Sequence, residues 1–192
     1  AGGDPARAAQ PEGGGNPAAS RLRAWWPWVV VAGVLVVAVM LFFAPSLRGG
    51  FTNWDDDVNV TGNPLLTEQA DGGRLARIWS GPYRNLYIPL TYTSYLADLA
   101  VGGGRPFAFH LGNLVLHAAA SVGVLLLLGL LLRAGGAGGV SRGGLVVAAA
   151  AGAAVFALHP VQVEPVAWIT GRKDVLSGAL AVWAWVAFVA AT

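Results

Sequence analysis

The segment Asn53-Trp54-Asp55-Asp56-Asp57-Val58-Asn59 sets three carboxylates side by side next to an indole. Adjacent carboxylates raise one another's pKa, so one can take a proton while its neighbour holds a cation or a polar group. On this ground Asp55 and Asp56 are candidate catalytic residues, one as a base, and candidate ligands for a divalent cation, which the sequence does not require. Such a run cannot lie in hydrocarbon and must face water or the membrane surface. A second polar island, His159-Pro160-Val161-Gln162-Val163-Glu164 through Gly171-Arg172-Lys173-Asp174, carries a histidine, two acids and a cation pair. Arg and Lys bind phosphate oxygens, so this island suits a lipid-linked phosphate. Each island also has a plain reading: a solvated loop for the first, an interface anchor with local ion pairs for the second. The apolar segments around them are expected to bring the two together on one face of a bilayer.

Other groups are less specific. His110, Asn113, Leu114 and His117 share one stripe of a helix, at i, i+3, i+4 and i+7. His117 would sit inside the membrane, roughly 10 Å from His110, with an interhelical hydrogen bond and a catalytic role equally open. Tyr83, Arg84, Tyr87 and Pro89 could line a sugar or lipid path, or fix their loop to the interface. Trp54 could stack on a sugar face or anchor its loop. No Gly-rich phosphate loop, Ser/His/Asp order or zinc-binding spacing is present.

The elements that must position these groups follow from composition. The 192 residues are 55% hydrophobic and 11% charged, against about 25% charged for a soluble domain. The fold class is therefore an all-α integral membrane protein. A net charge of +2 gives no reason to expect nucleic acid, and the absence of Cys excludes disulfides and thiolate metal sites. Residues 1–24 read as a disordered tail. Spans are expected at about 26–44, 109–132, 144–158 and 175–192, with loops 45–108 and 159–174 between them. Trp25, Trp26 and Trp28 read as an interfacial belt. The first apolar run could also be a signal peptide, but no A-x-A-like site follows it. Within the long loop, Tyr92, Tyr95, Leu96 and Leu99 recur at helical spacing, predicting an interfacial helix over Thr91 to Val101, ended by Gly102-Gly103-Gly104. Ala148, Gly152 and Phe156 share a face that would let another helix approach closely. Arg7, Arg21, Arg23, Arg133 and Arg142 mark the N-terminal side as cytoplasmic, although Arg172 and Lys173 oppose this. Both polar islands then face the exterior. The chain lacks an initial Met and ends within an apolar run, so it reads as a fragment of a longer protein.

Taken as a set, Trp54-Asp55-Asp56, Asn63-Pro64, Pro89 to Tyr92, His110 to His117, and His159 to Asp174 form a pattern. It resembles the N-terminal membrane region of the transmembrane and tetratricopeptide-repeat proteins, which are protein O-mannosyltransferases and bacterial relatives. The resemblance covers about Trp26 to the end. It implies the N-terminal part of a GT-C helical bundle, in a bacterial inner membrane. It also implies transfer of a sugar, mannose, from a polyprenyl-phosphate donor to a Ser or Thr hydroxyl of an acceptor protein. Asp55 or Asp56 would be the base and Glu164 a second acidic site residue. His159, Arg172 and Lys173 would lie near the donor phosphate, with Asp174, Tyr87, His110 and His117 as further substrate contacts. Ile88 stands where many members carry Arg before Pro-Leu, which removes one expected donor contact.

Two other classes compete. A transporter or flippase draws on His117 and the Gly-rich spans, but no span reads as broken by Gly or Pro. A non-catalytic scaffold carrying C-terminal repeats would not depend on the Asp run at all.

Overall fold

The computed structural model describes residues 17–192 except 69–71 and 137–138, with side chains from residue 25 onward. Helix α1 already begins at Pro17; the rest of the expected disordered tail lies outside the described residues. Four long helices form the bundle: α1 (Pro17–Phe43), α5 (Pro106–Ala134), α6 (Arg142–Leu158) and α8 (Arg172–Ala191). Between α1 and α5 lie a π-turn (Asp57–Thr61) and the helices α2 (Pro64–Thr67), α3 (Arg74–Ser80) and α4 (Pro89–Gly102); α7 (Val163–Ala167) sits between α6 and α8. Among the described residues there is no strand, only an isolated bridge between Tyr83 and Leu86.

The long helices are apolar all round, as a bilayer requires. Val30, Val34, Val37 and Leu41 on α1 and Leu180, Trp185 and Phe188 on α8 point outward. Trp25–Arg48, Pro106–Ala134 and Ile169–Ala191 are long and apolar enough to cross a membrane. A fourth candidate is α6 together with Pro160–Ala167, bent by 45°. Pro160 causes the bend: it has no N–H to donate, and it holds His159 in extended backbone. A Pro-bent candidate span thus stands where no Gly- or Pro-broken span was expected from sequence.

Helix α5 is the axis of the bundle. Leu114, Ala118 and Leu125 pack against Leu35, Val39 and Phe43 of α1 and Ala149, Ala153 and Ala157 of α6. The expected close-approach face of α6, Ala148, Gly152 and Phe156, is met only in part: Gly152 lies beneath Leu128 and Phe156 against His117, but the fully buried stripe is Ala149, Ala153 and Ala157. Ala148 is exposed, and the buried stripe is turned one residue on. A run so rich in Ala carries no periodicity to tell these faces apart. Gly123 serves α8 in the same way: a Cβ there would come 2.7 Å from Val182 Cγ1. The Trp belt also divides. Trp25 and Trp26 are exposed, but Trp28 is buried over Gly129, with the Arg133 guanidinium 5.1 Å from its ring.

His117 lies in this core. Its Nε2 is 2.9 Å from the carbonyl of Ala157, and its ring sits between Phe43 and Phe156. Ala157 is in the last turn of α6, where carbonyls lack a helical partner. His117→Leu should therefore lower stability by about 1 kcal/mol, read as a drop in thermal unfolding temperature in detergent. An unchanged midpoint would show that the contact carries no net energy.

The first loop folds as a cap with a second core of Val60, Leu66, Ile78, Tyr92, Tyr95, Phe109 and Ile169. Pro89 starts α4, and Gly103 ends it with a left-handed φ of 59°. The expected helix over Thr91 to Val101 is thus slightly longer, with Tyr92 and Tyr95 inward. Tyr92 Oη donates to Asn59 Oδ1 at 3.1 Å, and Tyr95 Oη donates to the Ile169 carbonyl at 3.0 Å. Burial pushes the Tyr92 hydroxyl up to about 12 and that of Tyr95 further, so both remain donors at neutral pH.

Candidate active site

Asp56 joins the two polar islands. It is fully buried, and each oxygen accepts two hydrogen bonds. Oδ2 accepts from the Thr52 amide at 2.9 Å and the Thr52 hydroxyl at 3.0 Å. Oδ1 accepts from the Thr170 amide at 3.1 Å and from the Thr170 hydroxyl. The local backbone makes this reachable. Asp56 caps the π-turn, and Thr170 lies in a tight 3₁₀ turn, Ile169–Gly171. That turn needs Gly171, because a Cβ there would meet the Pro165 carbonyl oxygen at 2.5 Å. Asn113 clamps the second loop from below, donating to the carbonyls of Trp168 (2.7 Å) and Val166 (3.3 Å).

Between the loops lies a cavity of about 550 Å³. Asp56, Glu164, His110 and Thr52 supply its polar groups; Trp54, Trp168, Val163 and Ile169 supply apolar wall. Glu164 is exposed, and its side chain has no hydrogen bond or ion pair among the described residues. His110 is 4% exposed, and neither ring nitrogen makes a well-formed hydrogen bond. The ring lies against the backbone of Gly49, Gly50 and Ala167, which hold it at the cavity wall. Two indoles beside the free Glu164 carboxylate suit a sugar: the rings offer apolar faces to its C–H groups, and Glu164 accepts from its hydroxyls.

The remaining expected residues are dispersed. Asp55 is half-buried and does not line the cavity, and Asp57 is exposed. Lys173 does not line the cavity; its Nζ is 5.5 Å from the ring centre of Trp168, which does, and 3.4 Å from the Thr170 carbonyl. Asp174 is exposed and 3.8 Å from Lys173. His159 is exposed, its Nδ1 accepting from the Val161 amide at 3.2 Å. Tyr87 is exposed and donates to the Trp79 carbonyl at 3.1 Å. His117 belongs to the helix interface described above. Among the described residues no group of three His, Asp or Glu side chains gathers around Asp55 and Asp56, and each Asp56 oxygen already accepts two hydrogen bonds.

Arg172 departs furthest from expectation. It is 2% exposed and opens α8 rather than ending a loop. Nη2 donates to Asp98 Oδ2 at 2.7 Å and to the Phe109 carbonyl at 2.8 Å; Nη1 donates to Ser94 Oγ at 3.1 Å, and Nε to Asn113 Oδ1. It is a strut linking α4, α5 and α8, not a hand held out to a phosphate in this cavity. Burial pushes the Asp98 carboxyl above its ordinary range, and the guanidinium opposes that rise. Gly112 makes room for the pair, since a Cβ there would collide with Arg172 and meet Asp98 Oδ1 at 2.7 Å. Thr52, Thr170 and Asp98 were not singled out from sequence. Lone hydroxyls carry no pattern, and Asp98 lies off the Tyr92, Tyr95, Leu96 and Leu99 stripe of α4.

Comparison with known proteins bears on this cavity. Over 177 residues, 86% of the chain, it is 30% identical to the protein O-mannosyl-transferase TMTC1 of Mus musculus, of which it covers 17%. Over 167 residues, 82% of the chain, it is 29% identical to the protein O-mannosyl-transferase TMTC4 of Homo sapiens, of which it covers 22%. A third relative, the protein O-mannosyl-transferase Tmtc1 of Drosophila melanogaster, is 29% identical over 154 residues, 77% of this chain and 16% of its own length. The chain thus spans about a fifth of the length of these curated relatives. No family model and no solved structure matches it. Over the membrane region that it spans, the chain belongs to the TMTC family.

Proposed function

We propose that this chain forms part of a membrane glycosyltransferase that moves mannose from a polyprenyl-phosphate donor to a Ser or Thr hydroxyl of a protein. One observation carries the reading: the cavity joins Asp56, His110 and Glu164 to Trp54 and Trp168, although they lie far apart in sequence. The relatives' names, protein O-mannosyl-transferase, supply the reaction class. Glu164 is the freer carboxylate and takes the proton of the acceptor hydroxyl. That oxygen then bonds to C1 of the sugar, and the C1–O bond to phosphate breaks, its electron pair leaving with the phosphate. Lys173, behind the cavity-lining Trp168, would offset the charge that develops on the phosphate. Asp56 holds the two loops in register, so that the wall exists at all. The Arg distribution in the flanks favours a cytoplasmic N-terminal side and an exterior cavity.

The bent α6–α7 span also favours a second reading, transport, because broken helices line many transporter sites. One experiment separates the two. Full-length protein in lipid nanodiscs, given polyprenyl-phosphate mannose and a Ser/Thr peptide, should add one hexose to the peptide by mass spectrometry. Trp54→Ala should slow that addition about tenfold, the loss expected for one stacking face. Movement of the donor across a membrane with no glycosylated peptide would replace transferase by transporter.

A further inference from the structure

A second cavity, of about 410 Å³, opens between α4 and the outer face of α5. No residue lines both this cavity and the candidate active site. Its walls are Ala97, Val101, Phe107, Leu111, Val115 and Leu116, and Val101 and Val115 are 83% and 51% exposed. At its mouth is Arg105, exposed, whose Nε donates to the Gly102 carbonyl at 3.2 Å. Its two terminal nitrogens have no partner among the described residues. Asp98 also lines the cavity, but its charge is spent on Arg172. Arg172 and Ser94 line it too, but Arg172 is neutralised by Asp98 and bonded to Ser94, so among the described lining residues Arg105 is the uncompensated cation, beside mostly apolar walls.

The polarity runs along α5. Arg105 immediately precedes α5, and Leu116 lies roughly 16 Å further along that helix, about half the thickness of a bilayer's hydrocarbon core. We propose that this groove is a binding site for an anionic phospholipid, with its phosphate on Arg105 and one acyl chain along Leu111, Val115 and Leu116. The occupant follows from charge and shape together: a zwitterionic lipid brings its own cation beside its phosphate and leaves Arg105 uncompensated, whereas a free anion would leave the apolar walls wet. The site does not depend on the glycosyltransferase reading.

The test uses the full-length protein equilibrated in nanodiscs of mixed phosphatidylglycerol and phosphatidylcholine, then released into detergent for native mass spectrometry. Phosphatidylglycerol should be retained selectively. Arg105→Gln should weaken that retention about tenfold, the loss of one charge-assisted contact. Ala97→Trp, which fills the groove from an exposed position, should weaken it to a similar degree. Equal retention of the two lipids by the unaltered protein, or phosphatidylglycerol retention unmoved by both substitutions, would overturn the site.

Discussion

Asp56→Asn in the full-length protein should cut sugar transfer by about two orders of magnitude and loosen the junction between the two loops as well. An amide in place of the carboxylate presents an NH₂ to donors, from either Thr52 or Thr170. Buried donors then lose their acceptor, at about 1–3 kcal/mol each. Glu164→Gln should behave differently. That side chain is exposed and has no partner to lose, so thermal unfolding should not move while transfer falls by about 10²–10⁴, the usual span for a general base. Thr170→Val closes the comparison. It removes the hydroxyl that reaches Asp56 and leaves the carboxylate in place. If Asp56 acts through the loop junction, this variant should share part of both defects. A fully active Thr170→Val protein with normal stability, beside a dead Asp56→Asn protein of normal stability, would instead make Asp56 the proton acceptor. Wild-type transfer by Glu164→Gln would remove Glu164 from the chemistry.

Arg172→Met should destabilise the protein by about 3–5 kcal/mol, because it leaves the Asp98 carboxylate buried without a counter-charge. Thermal or denaturant unfolding in detergent reads this directly. Adding Asp98→Leu should restore much of the loss, since an apolar pair of similar volume removes the stranded charge. The deficit also has a pH sign. Burial raises the Asp98 pKa in the folded protein, and loss of the guanidinium removes the effect that opposes it. The folded state then binds a proton more tightly than the unfolded chain. The deficit is therefore full above the raised pKa and shrinks as pH falls through it. A single Arg172→Met variant with an unchanged midpoint would mean that the pair is not a strut.

The spans and the existence of two polar loops were legible because they depend on local properties. Some twenty apolar residues suffice to name a membrane helix, whatever it packs against. The helix α4 was legible for a similar reason: Tyr92, Tyr95, Leu96 and Leu99 repeat at the helical period, and Pro89 and Gly103 punctuate it. The site was legible only in part. Asp56, His110 and Glu164 were named from their types and order, and they line one cavity. Arg172 was assigned to a phosphate because a loop cation is ordinarily free. The helix in fact begins at Arg172, which turns the side chain inward toward Asp98.

What the sequence determined alone is which stretches enter hydrocarbon, where the chain must return to water, and which residue types wait there. Those are questions of transfer energy, summed over neighbours along the chain. Tertiary structure decided which hydroxyl meets which carboxylate. It set Thr170 on Asp56, 114 positions away, turned Trp28 into the bundle, and chose the Ala149, Ala153 and Ala157 face of α6 over the one beside it. Each of these choices is a contest between alternatives of nearly equal local energy. Only close packing and the need to satisfy every buried polar group separate them.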